Sequence, residues 1–95
     1  MRIRTNRSYK YREIAGEYYL IPTLEAAERS KIPLQLTETA AWIWIQIEKG
    51  KESEEIAVTM TKEFEVNLDV AHKATEKFIA FLLNHDLLEK TETQA

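Results

Sequence analysis

The sequence predicts an α+β fold, a three-stranded antiparallel sheet followed by three helices. Two observations predict it. Up to Leu36 the apolar residues alternate with a period near 2, and beyond it they recur with a period near 3.6. The first part also carries one turn signal between strand-forming residues, and the second carries three separate cap-and-stripe patterns.

Residues 9–22, YKYREIAGEYYLIP, read as a β-hairpin. Tyr9, Tyr11, Tyr18, Tyr19, Leu20 and Ile21 favour strands. Ala15-Gly16 supplies the turn, because Gly16 reaches positive φ at no steric cost. Pro22 and Thr23 end the second strand, and TLEAAERS is a polar connection with room for one helical turn. KIPLQL, residues 31–36, reads as a third strand with Ile32, Leu34 and Leu36 on one face. Pro33 has no N–H to give to a ladder, so this strand belongs at a sheet edge.

Thr37 is suited to cap the first helix, and Glu38 lies at the positive end of its dipole. Ala40, Ile43, Trp44 and Ile47 follow the i, i+3, i+4, i+7 pattern of a buried stripe, and Gly50 stops the helix. Ser53 is expected to cap the second helix, with the stripe Ile56, Ala57, Met60 and Phe64. Asn67 or Asp69 opens the third, which runs to about Asn84 with the stripe Ala71, Ala74, Thr75, Phe78 and Leu82. Leu87 and Leu88 then return to the core. The expected boundaries are a mobile basic arm over residues 1–8, the folded domain over 9–90 and a frayed tail over 91–95.

The first helix raises a question. Trp42 lies almost opposite Trp44 on the helical wheel, with Ile45 beside it, so the helix has a second apolar face. Either that face meets the later helices, or it forms an apolar patch for a partner or for a second copy of the chain as a homodimer.

Composition narrows the function classes. The 95 residues make a single domain, and with 44% hydrophobic residues, two Gly and two Pro the chain is not of low complexity. With no Cys there is no disulfide framework and no thiolate metal site, which fits a cytoplasmic protein. No apolar run approaches the roughly 18 residues of a membrane span, so no membrane partner is expected. The net charge of −3 is unevenly spread, because Arg2, Arg4, Arg7, Lys10 and Arg12 all precede the first acid, Glu13. This basic segment reads either as an arm for an anionic partner or as a solvated terminus.

Catalysis is not expected. His72 and His85 are too far apart in sequence to share one helical metal face, and the carboxylates fall in solvated runs such as ESEE. There is no Gly-rich phosphate loop and no nucleophile elbow. Neither a cofactor nor a metal is therefore expected. A DNA-binding winged helix is the rival reading. The candidate recognition helix offers only Lys73 and Lys77 beside Asp69 and Glu76, and nothing in its first turns to read base edges. Nucleic acid is therefore not the expected partner.

Taken together, REIAGEYYLIPT, LTETAAWIW, EEIAVTMTKEFEV and KFIAFLLNHDLL resemble the PqqD family over roughly residues 9–88. This family includes the pyrroloquinoline quinone synthesis protein D and the recognition elements of ribosomally made, post-translationally modified peptides (RiPPs). The resemblance implies a winged-helix-like domain with no catalytic activity. It implies an adaptor that binds the leader segment of a precursor peptide and presents it to a modifying enzyme, often a radical S-adenosylmethionine enzyme. The leader would add a strand to the third strand and lie against the third helix. Lys31, Ile32, Pro33, Leu34, Gln35 and Leu36 then form the receiving edge. Val70, Ala74, Lys77 and Phe81 share a flank of the helix, with Phe81 and Ala74 taking apolar leader side chains and Lys73 and Lys77 acidic ones. The opposite flank, His72, Ile79 and Leu83, is the fallback. The sequence departs from the family pattern at Pro33, at Ile45 and Gln46, at Phe81, where Glu or Lys is common, and at Asp86, where Gly is usual.

Overall fold

The computed structural model describes residues 2–28 and 32–91. Its elements run β1 (Arg2–Thr5), β2 (Tyr9–Ile14), β3 (Glu17–Pro22), α1 (Leu24–Glu28), β4 (Leu34–Leu36), α2 (Glu38–Glu48), α3 (Ser53–Glu63), α4 (Leu68–Asn84) and β5 (Leu88–Thr91). The expected three-stranded antiparallel sheet is β2-β3-β4, and the three expected helices are α2, α3 and α4.

The hairpin closes on Ile14 opposite Glu17. Its two turn residues both take positive φ, 52° at Ala15 and 80° at Gly16. That is the type I′ geometry whose twist matches a two-residue hairpin. β4 pairs with β3 with Leu36 opposite Tyr18 and Leu34 opposite Leu20. It is shorter than expected: Ile32 and Pro33 precede it, and Lys31 lies outside the described residues. Without an N–H, Pro33 cannot extend the ladder.

The N-terminus differs from expectation. Residues 2–5 of the supposed mobile arm form β1, which pairs antiparallel with β5. Ile3, between two arginines, packs against the core, so one alternating apolar residue suffices where a partner strand is present. Asn6 ties the ribbon down, its N–H donating to the Leu87 carbonyl (3.0 Å) and its side-chain amide to that of Asp86 (2.7 Å). Thr91, assigned to the frayed tail, ends β5 opposite Arg2, and residues 92–95 lie outside the described residues.

Local chemistry sets the helix ends. The Thr37 hydroxyl accepts the Ala40 N–H (3.1 Å), and the Asn67 side chain accepts that of Val70 (2.9 Å). The expected cap at Ser53 is displaced by one residue: Glu52 is the N-cap of α3 and makes no side-chain cap bond. α2 ends at Gly50 (φ 87°), with Lys51 donating back to the Gln46 carbonyl (3.2 Å). α4 ends the same way at Asp86 (φ 58°), with Leu87 donating to Leu82 (2.8 Å). The glycine usual in the family at Asp86 is explained by this left-handed position.

α2 touches β1, β3 and β4 as well as α3, and so is packed on more than one side. Its buried residues are Ala41, Ile43, Trp44, Gln46 and Ile47, whereas Ala40 of the expected stripe is half-buried. Trp42 meets Phe64, at the end of α3, edge to face at 5.4 Å between centroids. The second apolar face of α2 thus has an internal use. On α4 the buried residues are Ala71, Thr75, Ile79 and Leu82, with Ala74 and Phe78 only partly buried. The helix is rotated slightly toward Ile79 from the expected stripe.

Candidate functional site

A groove lies between the start of α2 and α4. Near the start of α2 the side chains are small, and Thr39 and Ala40 together with Ala74 on α4 leave about 460 Å³ unfilled. Ile43, only 1% exposed, also lines it. Phe78 and Phe81 form an aromatic wall, their rings nearly parallel with centroids 6.3 Å apart. Phe81 also lies 4.4 Å from the His85 ring, yet remains 38% exposed. Lys77 brings the groove its one charge, and Thr37 completes the lining. Such a cleft suits an apolar side chain with an acidic neighbour.

Thr37 also lines a second hollow of about 440 Å³, shared with Gln35 and Leu36 of β4 and with Glu17 and Tyr18 of β3. β4 is an edge of its sheet, since among the described residues it pairs with β3 alone. In an antiparallel pair, alternate residues turn both N–H and C=O away from the partner strand, so the outer side of β4 presents groups able to take another strand. A sheet edge and an apolar groove therefore meet at Thr37.

The residues singled out from sequence do not all come together. Ala74, Lys77 and Phe81 come together in the groove. Leu34, Gln35 and Leu36 form β4, where Leu36 is buried in the core and the Gln35 amide donates to the Glu17 carboxylate. Ile32 (70% exposed) and Pro33 stand before the strand, and Lys31 lies outside the described residues. Val70 and Lys73 do not line the groove: Val70 is exposed in the first turn of α4, and Lys73 pairs with Asp69 at 3.2 Å. The fallback flank faces elsewhere. His72 bridges Glu54 of α3 (3.3 Å) and Glu76 (3.7 Å), while Ile79 is buried and Leu83 packs against the core. Sequence reasoning missed Thr37, Thr39, Ala40, Ile43 and Phe78 as groove residues. The available signal was the run of short side chains at Thr39-Ala40-Ala41, which cannot fill the space between two helices.

Among the described residues no group of His, Asp and Glu is placed to hold a metal ion, and no helix is long and apolar enough to cross a membrane.

Comparison with known proteins gives a family and a fold. The family described as Coenzyme PQQ synthesis protein D (PqqD) matches residues 26–88. No curated protein matches the sequence. Two solved structures share the fold. The first, TbiB1 in complex with the TbiA(beta) leader peptide, superposes with a TM-score of 0.77 at 22% identity, covering 95% of this chain and 99% of that one. The second, a lasso peptide synthetase B1 complexed with the leader peptide, has a TM-score of 0.79 at 20% identity, covering 95% and 100%.

Proposed function

Because the chain belongs to the PqqD family, we propose that it is a non-catalytic adaptor that binds the leader segment of a ribosomally made precursor peptide and presents it to a modifying enzyme. The observation that carries this reading is the junction at Thr37 of an open sheet edge with an apolar groove. Strand addition gives affinity through main-chain hydrogen bonds and leaves selectivity to pockets for alternate side chains. β4 offers the edge and the flank of α4 offers an apolar pocket beside it. The leader peptides in the two solved structures that share the fold support the same reading.

On this proposal the leader lies along residues 31–36 and sets an apolar side chain against Ala74, Phe78 and Phe81. Lys77 meets an acidic leader residue, and Lys73 joins it once released from Asp69. Val70 extends the contact toward the first turn of α4. The enzyme served is a radical S-adenosylmethionine enzyme, the partner class the family implies, and work on newly made ribosomal peptides places the protein in the cytoplasm. The test is an NMR titration of the isotopically labelled chain with a synthetic leader from the precursor frame nearest its gene. Amide shifts are expected to be largest at Leu34–Leu36 and from Ala74 to Phe81. Shifts confined to the β2–β3 hairpin would refute the placement.

A further inference from the structure

A third concavity shares no residue with the groove or with the hollow beside β4. It holds about 520 Å³ and runs beside β2, from the turn after β1 to the last residue of α2, Glu48. Three cations line it: Arg7, Lys10 and Arg12. None of the three makes an ion pair among the described residues. The backbone of the turn that carries Arg7 is fixed, because the Asn6 side chain accepts the Ser8 N–H (2.8 Å) and the Asn6 carbonyl accepts that of Tyr9 (3.2 Å). Tyr9 and Tyr11 lie between the cations. Burial raises the pKa of both phenols, and for Tyr11 the carboxylates of Glu13 and Glu48 add to the effect, so neither becomes a phenolate beside a bound anion at neutral pH.

Charged side chains on an edge strand also guard it against edge-to-edge pairing. Guarding requires only exposure, and does not require three cations gathered around one hollow with no carboxylate partner among the described residues, Arg12 donating only to the Tyr11 carbonyl (3.1 Å). The position adds a second argument. In the sheet order β2-β3-β4, the strand beside the hollow and the strand beside the groove are opposite edges. α2 likewise meets the groove at Thr39, Ala40 and Ile43 and the hollow at Glu48, about 8 Å beyond Ile43 along its axis. A ligand along β4 therefore leaves the hollow open.

We infer that this hollow docks an acidic segment of the modifying enzyme while the leader occupies the groove. The inference rests on the adaptor reading above. Carboxylates on the segment would meet Arg7, Lys10 and Arg12, and Glu48 would repel them from the end of α2 and so set how deeply the segment enters. A short acidic segment fits better than nucleic acid. The chain carries a net charge of −3, and a long polyanion would run past the hollow onto acidic helices.

The probe is octaglutamate, titrated into the labelled full-length chain at low salt. Amide shifts are expected from Asn6 to Arg12 and at Glu48, with none from Ala74 to Phe81. Replacing Arg7, Lys10 and Arg12 together by Gln should weaken binding about tenfold, the combined effect of three exposed pairs. Glu48→Gln should tighten it, and binding should fade as salt shortens the screening length below about 10 Å. Glu48 is exposed at a helix end, so that single variant decides the matter if the triple variant does not fold. Absent shifts, shifts in the groove, weaker binding by Glu48→Gln, or tighter binding of a short DNA duplex at the hollow would each overturn the inference. Because no leader is present, failure here is distinct from failure of the adaptor reading, which the leader titration tests at β4 and α4.

Discussion

At the scale of single residues, Phe81, Thr75 and Ala15 each break a local rule. Phe81 is a large aromatic ring left 38% exposed, supported on one side by Phe78 and on the other by His85. A ring held that way is already ordered and gains burial only when something covers it. Phe81→Ala should weaken leader binding by about 1–3 kcal/mol, the range for an anchor in a pocket, while costing under about 1.5 kcal/mol of stability for the lost stacking. Calorimetric titration and a urea melt read the two separately, and a stability loss larger than the binding loss would assign the ring to the core. Thr75 is fully buried on α4, and its hydroxyl has no hydrogen-bond partner among the described residues. Val has the same shape and nearly the same helix propensity. Thr75→Val should therefore raise stability by about 1 kcal/mol, the order of the desolvation cost removed. A lower urea midpoint would show instead that the hydroxyl is satisfied in solution. Ala15 holds φ 52° in a type I′ turn that favours Asn. Ala15→Asn should add up to about 1 kcal/mol, the left-handed strain of an ordinary side chain, and an unchanged melting temperature would argue against strain at this turn.

At the scale of elements, α2 is the piece on which the others are assembled. Strands β1, β3 and β4 lie against it, α3 packs elsewhere on it, and Trp44 fills its main buried face with no exposure. Trp42 serves the other face by meeting Phe64. Trp42→Ala should lower stability by about 2–4 kcal/mol, the cost of truncating a largely buried aromatic, and should leave the elution volume on a sizing column unchanged. Loss of an oligomer without loss of stability would mean that Trp42 serves an intermolecular face instead. This element also shows what the sequence made legible. Apolar spacing marked α2, α3 and α4, because a buried stripe must repeat at the helical period whatever its surroundings. The hairpin was legible at Ala15-Gly16, because few dipeptides reach positive φ. The flank Val70, Ala74, Lys77 and Phe81 was drawn from the family resemblance; the last three line one groove, and Val70 does not. The rotation of α4 was not legible, because Phe78 and Ile79 are both apolar neighbours and only packing decides that Ile79 goes inward. Nor was β1, whose pairing with β5 joins opposite ends of the described chain and leaves no local periodic signal.

At the scale of the whole molecule, β1 and β5 close the fold by joining its two ends. Arg2 stands opposite Thr91 and Thr5 opposite Leu88, and Leu88 is itself only 5% exposed. The ribbon therefore covers the side of the core that α2 presents to β1, through Ile3 and Leu88. Removing residues 1–5 would take away one strand of a two-stranded pair, and such a pair does not survive with one strand missing. The loss includes the half-buried Ile3 side chain, worth about 1 kcal/mol, and the exposure of Leu88 when β5 loses its only partner among the described residues. The shortened chain should be less stable by about 2–3 kcal/mol, which for a domain of this size lowers the melting temperature by roughly 10–20 °C. Hydrogen exchange should show the Leu88–Thr91 amides losing protection while those of α2 remain the slowest. The cations of the hollow, Arg7, Lys10 and Arg12, stay in the shortened chain. Their affinity for octaglutamate should nevertheless fall, because the turn that holds Arg7 is anchored through Asn6 to the segment between α4 and β5 and is continuous with β1. A melting temperature within the error of the full chain, with unchanged protection in β5, would return residues 1–5 to the role of a solvated basic arm.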